Sequence, residues 1–326
     1  MAARPSEPSV KPLIVLASTC LATVLSLASY AQTLVVGDQS YNARTVMEAA
    51  GVLEDLPYTL EWKQFSAGSP VAEALNAGSL DLGLLGDAPP LFLGALGAPL
   101  KVVAVSRQQL DGVAIVVRGD SGIQRVEDLR GKRAAVWKGS WSQQLLFSAL
   151  DRAKVPRDAV DLRYLNALDA AHALDGGSVD AIATWEPYVT QAVRHGARVL
   201  CTAEGLIPAQ SFVVASDSAI AGKRAAIADF LARLRTARQW SLQSPAHTEQ
   251  YANAWAERTR ADADIARVWF AHARTDLVPV DARAISDAQQ TIDFFAGLGQ
   301  IHSYPAARIF DPSFGAALAP DVATAP

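Results

Sequence analysis

Residues 74–90 read ALNAGSLDLGLLGDAPP and residues 173–188 read ALDGGSVDAIATWEPY, the same order of events set down twice. Each stretch leaves a helical pattern at a glycine and turns through serine to an aspartate, Asp81 or Asp180. Each then enters a short apolar run and closes on an acid and a proline, Asp87 before Ala88-Pro89 and Glu186 before Pro187. Gly78 supplies the left-handed stop that ends a helix. That helix is expected to begin at Ser69-Pro70, with serine as cap and proline in the first turn. Leu80 to Leu85 is too continuously apolar for a half-exposed strand and fits one covered on both faces. Asp87 is then placed as the N-cap of a following helix, whose prolines give up only donors that have no intrahelical partner.

A second echo lies upstream of each. Residues 34–41, LVVGDQSY, match residues 134–141, AAVWKGSW, both a short apolar run, polar residues and then Ser-aromatic opening a helix. Two echoes in the same order point to two domains built on one plan, although recurrent βα units within a single domain would also produce them. Strand-like runs at Leu100–Val105, Gly112–Val117, Arg133–Trp137, Val160–Tyr164 and Ser211–Ala215 alternate with helical patterns such as Ser140–Ala153, which predicts an α/β protein with mainly parallel sheets. From Ala219 to Gly297 the pattern is helical, with Trp240, Trp255 and Trp269 assigned to packing. Residues 316–326 read as a loose tail.

With 326 residues, 50% apolar and 19% charged, the chain is long enough to bury a full core. Arg4 and Lys11, an apolar run from Leu13 to Ala28, and Ser29-Tyr30-Ala31 predict an export signal over residues 1–31. The apolar run falls short of the ~20 residues of a membrane span, the alternative reading. Export would place the mature protein in an oxidising compartment, the periplasm in the family named below, and leave Cys201 as its single cysteine, a buried, inert thiol with no disulfide to make. The net charge of −4 and the absence of a basic patch give no sign of nucleic acid. Five scattered histidines carry no metal-ligand spacing, so no metal or cofactor is expected.

In open α/β sheets ligands sit beyond the carboxyl ends of the strands, where helix N-termini present free amides. Four strand tips qualify: Gly37-Asp38-Gln39-Ser40, Leu85-Gly86-Asp87, Trp137-Lys138-Gly139-Ser140 and Trp185-Glu186. Ser140 opens a capping-box pattern, which is compatible with anion binding. Lys138 reads as a solvated lysine or an anion ligand, and Gly86 as a plain turn or a point of close anion approach. Trp185 is either core or a stacking platform. Arg107, at the end of its strand, is either exposed or bidentate to an oxyanion. Asp87 and Glu186 could pair as acid and base, but capping, or meeting a cationic group on a ligand, is simpler. No nucleophile elbow, phosphate loop or paired Cys or Ser and His is present, so binding without chemistry is favoured.

Phe65-Ser-Ala-Gly68, Glu73 to Asp81, Gly86-Asp-Ala-Pro-Pro90, Val126-Glu-Asp-Leu-Arg-Gly-Lys132, Lys138-Gly-Ser140, Gly177 to Asp180 and Trp185-Glu-Pro-Tyr188 together resemble the periplasmic solute-binding proteins of aliphatic-sulfonate ABC importers. The resemblance runs from about Thr33 to Ile301. It implies a type II periplasmic-binding-protein fold, two α/β domains joined by two crossing strands near Ala114–Val117 and Phe212–Ala215. Domain I would comprise 32–114 and 214–326, and domain II 115–213. It further implies a monomer that closes on a small anion, a sulfonate, and delivers it to a membrane permease with its ATPase. Gln39, Gly86-Asp87 and Lys138-Gly139-Ser140 would hold the sulfonate, with Trp185-Glu186 facing them. Binders of taurine, nitrate, sulfate esters and riboflavin or thiamine precursors share the frame, as do desulfinase-like enzymes. Two departures stand out: Leu85 where the family often carries threonine, and Pro208-Ala-Gln-Ser-Phe212 where it usually carries Asn and Arg. Both imply altered head-group contacts and room for a bulkier or more apolar tail.

Overall fold

A computed structural model describes Met1 and residues 32–319. The expected export signal and the end of the C-terminal tail lie outside the described residues. Among these, no helix is long and apolar enough to cross a membrane.

The chain builds two sheets. The first runs β11-β4-β10-β3-β1-β2, from β1 (Thr33–Gln39), β2 (Thr59–Phe65), β3 (Leu82–Gly86), β4 (Leu100–Arg107), β10 (Ser211–Ser216) and β11 (Asp276–Val278). The second runs β7-β6-β8-β5-β9, from β5 (Val113–Arg118), β6 (Arg133–Val136), β7 (Asp161–Tyr164), β8 (Ala181–Trp185) and β9 (Ala197–Thr202). The order β2-β1-β3-β10-β4 in one is repeated as β7-β6-β8-β5-β9 in the other. These are the two α/β domains of the expected fold.

The echoed residues do the same work in each domain. Asp81 accepts a hydrogen bond from the Val35 amide at 2.7 Å and Asp180 one from the Arg133 amide at 2.9 Å, each pinning the entry of the neighbouring parallel strand. A cation closes each site: Lys223 lies 2.6 Å from Asp81 and Arg133 2.8 Å from Asp180. Gly78 and Gly177 sit at φ +71° and +69°, the left-handed region where a side chain is strained.

The sheets are less parallel than the sequence suggests. β1 pairs with β2 and β3 in parallel, as β6 does with β7 and β8. β10 runs antiparallel to β3 and β4, and β5 to β8 and β9, because each of these strands arrives from the other domain. The crossings also fall elsewhere than expected. Ala114–Val117 lies wholly in the second sheet and Phe212–Ala215 wholly in the first, so the chain changes sheet through residues 108–112 and 203–210. Apolar strand periodicity marks the strands but not the links between them.

Helices cover both faces of each sheet. In the first, Leu34, Val36 and Leu82 pack against α1 (Asn42–Ala49), α7 (Asp217–Gln243) and α8 (Pro245–Thr259) through Val46, Phe230 and Trp255. The other face, with Leu85, Val102 and Val105, meets α2 (Gly68–Asn76), α3 (Ala88–Ala95) and α10 (Ala282–Gly297). The second sheet is covered by α4 (Trp141–Arg152) on one face and by α5 (Ala167–Asp175) and α6 (Tyr188–Arg194) on the other. Beyond α9 (Ala263–Ala273), the short β11 interrupts the expected helical run and adds an edge to β4. The expected loose tail begins late, since Leu318 is 1% exposed and packs into the core.

Two glycines bring α2 close to its sheet. A Cβ at Gly83 would lie 2.6 Å from Val71 Cγ1 and 2.7 Å from Leu75 Cδ1, and one at Gly37 would lie 3.2 Å from Val71 Cγ1 and 2.5 Å from Leu80 Cδ1, just past the helix. Gly83→Val therefore forces α2 outward and is expected to cost about 2 kcal/mol in urea unfolding. Wild-type stability in that variant would show the helix to be free to shift.

Candidate functional site

The ends of β1, β3 and β8 and the residues just past β6 open onto one cleft between the domains, enclosing about 1280 Å³ of space open to solvent. Gln39, Ser40, Ser66 to Ser69, Gly86, Arg238 and Trp269 line it from the first domain. Trp137, Ser140, Trp141, Trp185, Glu186 and Tyr188 line it from the second.

Helix N-termini converge here, but in different electrical states. Asp38 occupies α1's: its carboxylate accepts from the amides of Ala43 and Arg44 at 3.1 and 3.0 Å. Burial pushes this carboxyl above its ordinary value, against the pull of those amides and of Arg238. Glu186 occupies α6's, accepting from the Thr190 amide at 3.0 Å and hydroxyl at 2.7 Å. Its carboxyl is likewise raised by burial. The α4 terminus closes on itself: the Ser140 hydroxyl donates to Trp137 O and accepts from the Ser142 amide, while the Gly139 amide donates to Gln143 Oε1.

α2 is different. Its N-cap is Ala67, no side chain caps it, and its first turn holds no acid. The expected cap, Ser69, lies inside the first turn, so its hydroxyl is not spent on capping. The Gly68 and Ser69 amides and the Ser66 and Ser69 hydroxyls thus stand at the cleft, with Gln39 Oε1 3.6 Å from where a Gly68 Cβ would be. An N-terminus in this state carries a partial positive charge and donors without acceptors.

Arg238, on α7, gives the cleft its cation. It is 5% exposed, hydrogen-bonds Asn42 Oδ1 and, at 3.4 Å, the Tyr251 hydroxyl, and its Nε has no partner among the described residues. No carboxylate lies within 4.0 Å of it among the described residues. Nothing in the local sequence marks this arginine, which sits in the middle of a long helix far along the chain from the strand tips.

Several expected ligands fall elsewhere. Asp87 does not cap α3. Its backbone is helical, its side chain makes no cap bond, and its carboxylate is fully buried behind the cleft wall, accepting from Trp141 Nε1 at 2.7 Å and from Thr291 at 3.2 Å. Burial raises this carboxyl to about 7. Its amide donates to Gln210 O at 3.0 Å and is unavailable to a ligand. Gly86 serves Trp141 as well, since a Cβ there would lie 3.3 Å from the indole ring. Lys138 is exposed and, like Gly139, does not line the cleft. Arg107 pairs with Asp281 at 2.7 Å, the acid that caps α10, and does not line the cleft. Gln39, Ser40, Gly86, Ser140, Trp185 and Glu186 do line it, with Ser140 and Glu186 committed to helix ends.

For chemistry the cleft offers little. No histidine lines it among the described residues, and no group of metal ligands occurs among them. Cys201, on β9 away from the cleft, has its thiol pushed up to about 11 by burial, which keeps it protonated and unreactive.

The model of the family described as NMT1/THI5 like matches residues 59–248. An aliphatic sulfonates-binding protein of Escherichia coli (strain K12) is 33% identical over 287 residues, 84% of this chain and 89% of the relative. The crystal structure of the periplasmic aliphatic sulphonate binding protein SsuA from Escherichia coli superposes with a TM-score of 0.78, covering 86% of this chain and 92% of that one at 31% identity. The alkanesulfonate-binding protein SsuA from Xanthomonas axonopodis pv. citri, bound to MOPS, gives 0.79 over 87% and 99% at 28% identity. The desulfurization enzyme DSZB, at 18% identity and a TM-score of 0.68, shares the fold alone. With its repeated sheets, cleft and relatives in agreement, the chain belongs to the NMT1/THI5-like family, among the aliphatic-sulfonate-binding proteins of the periplasmic-binding fold.

Proposed function

We propose that the protein is the extracytoplasmic solute-binding component of an ABC importer, holding an organosulfonate between its domains and handing it to a membrane permease driven by an ATPase. The observation that carries this reading is the uncapped N-terminus of α2 lining the same cleft as the buried Arg238, which has no carboxylate within 4.0 Å among the described residues. Together they offer amides, serine hydroxyls and a guanidinium to an oxyanion that the other helix ends, already filled by Asp38 and Glu186, would repel. The anion site is thus Gln39, Ser40, Gly68, Ser69 and Arg238, with Trp185 beside the tail. The protein acts in the periplasm as a monomer after loss of residues 1–31 and binds without turnover.

In this reading residues 32–107 with 211–319 form one closing body and 113–202 the other, hinged at the two links. A micromolar ligand corresponds to about −8 kcal/mol, within reach of a few charge-assisted hydrogen bonds and cleft closure. Thermal unfolding with organosulfonates, sulfate and nitrate tests it. A sulfonate at a hundredfold over its Kd is expected to add about 2.7 kcal/mol of apparent stability. A shift with nitrate or a heterocycle alone would move the protein to another ligand class.

A further inference from the structure

Four of the seven tryptophans of the chain line the one cleft: Trp137, Trp141 and Trp185 from the second domain and Trp269 from the first. All four are half-buried, each leaving part of its ring surface open. Trp137 and Trp185 stand 30° from parallel with centroids 6.3 Å apart, and Trp141 meets Trp185 edge-on at 6.3 Å. Across the cleft, Trp269 is backed by Phe270 at 4.5 Å.

These rings are held in place. The Trp141 indole N–H donates to Asp87 and its ring rests on Gly86, while Trp185 is the last residue of β8, in register with Val113 of β5. A sulfonate group fills only a small part of such a cleft, which leaves the aromatic walls to the rest of the ligand.

We propose that the cleft selects sulfonates whose tail is a flat aromatic ring system, arylsulfonates, over straight-chain alkanesulfonates; this rests on the sulfonate reading above. Fixed indole faces reward a rigid flat partner twice. Ring stacking adds to simple area burial, and a sulfonate makes its own ring electron-poor, matching the electron-rich indole face. A flexible alkyl chain gains only area and loses rotamer freedom as it is ordered. Indole faces also attract alkylammonium groups, and Glu186 lies next to Trp185. Both Glu186 oxygens already accept from Thr190 at the N-terminus of α6, which holds the carboxylate against that helix end, and an ammonium-bearing sulfonate is the direct competitor in the test.

Calorimetric titration of the protein with naphthalene-2-sulfonate, benzenesulfonate, hexanesulfonate and a trimethylammonio-propanesulfonate tests the inference. Naphthalene-2-sulfonate is expected to bind roughly tenfold more tightly than hexanesulfonate and to quench tryptophan fluorescence. Trp185→Leu and, in the other domain, Trp269→Leu keep apolar volume but remove a flat face, and each is expected to weaken naphthalene-2-sulfonate more than hexanesulfonate, so that the preference shrinks severalfold. Equal or tighter binding of hexanesulfonate overturns the inference and leaves the sulfonate reading standing. Tightest binding of the ammonium compound overturns it in favour of a cation-binding wall. If no sulfonate binds, the sulfonate reading fails and this inference fails with it.

Discussion

Asp87→Asn is expected to remove a drop in stability, on the order of 4 kcal/mol, that the wild-type protein suffers between about pH 4 and about pH 7. The Asp87 carboxyl titrates near 7 in the folded protein against an ordinary value of 3.8, chiefly because it is completely buried, and only partly offset by the donors on Trp141 and Thr291. Folding therefore binds this proton more tightly than the unfolded chain does. The stabilisation is fully present below pH 4 and is lost as pH rises through 7, where the carboxylate must be held ionised in an apolar wall. Asparagine keeps an oxygen for Trp141 Nε1 and turns an amide N–H toward Thr291 Oγ1, which can accept it, and carries no charge to desolvate. Asp38 and Glu186, also raised by burial, titrate in both proteins, so the difference between wild-type and variant isolates Asp87. Urea unfolding at pH 4.5 and pH 8 gives the comparison. Parallel pH profiles for the two proteins would mean that Asp87 is hydrated or is ionised at little cost.

Arg238→Met is expected to weaken sulfonate binding by about a hundredfold, and Arg238→Lys by less. Removing one member of a desolvated charge pair typically costs 2–5 kcal/mol, because the remaining charge is left buried without a partner. In the variant a sulfonate would meet the α2 amides with the Asp38 and Glu186 carboxyls nearby and no cation among the residues of the cleft wall. Methionine matches much of the arginine stem, so packing against Tyr251 is kept. The loss should grow only weakly smaller with added salt, since the guanidinium is 5% exposed and poorly screened. Affinity within threefold of wild type in the methionine variant would place the anion elsewhere in the cleft. Unfolding of both variants in urea separates a binding defect from a folding one.

The two-domain plan was legible because it rests on short-range chemistry repeated at matching positions. A glycine needed at positive φ, an aspartate that pins a strand entry and a continuous apolar run leave the same mark wherever they occur. Gly78 with Asp81 and Gly177 with Asp180 perform these tasks as the echo implies. The sheet-changing links were misplaced because they carry no periodicity, and β11 was missed because three residues are too few to show one. The site was legible as a place and only in part as a set of residues. Gln39, Ser40, Gly86, Ser140, Trp185 and Glu186 reached the cleft.

What the sequence determined by itself was everything set by neighbours along the chain: helix stops, strand runs, domain repetition and the strand tips where a ligand must sit. Only the tertiary structure decided which polar group at those tips remains free. Asp87 follows a strand and precedes two prolines, as a cap should, yet an indole donor from the other domain claims its carboxylate. Ser69 precedes a proline, as a cap should, yet the cap falls two residues earlier, at Ala67, and leaves the Ser69 hydroxyl unspent. Arg238 has no local signature at all and becomes the cation of the site because α7 carries it beneath α1. A hydrogen-bonding group is spent or spare according to partners far away in sequence, and such partners are fixed only when the domains pack.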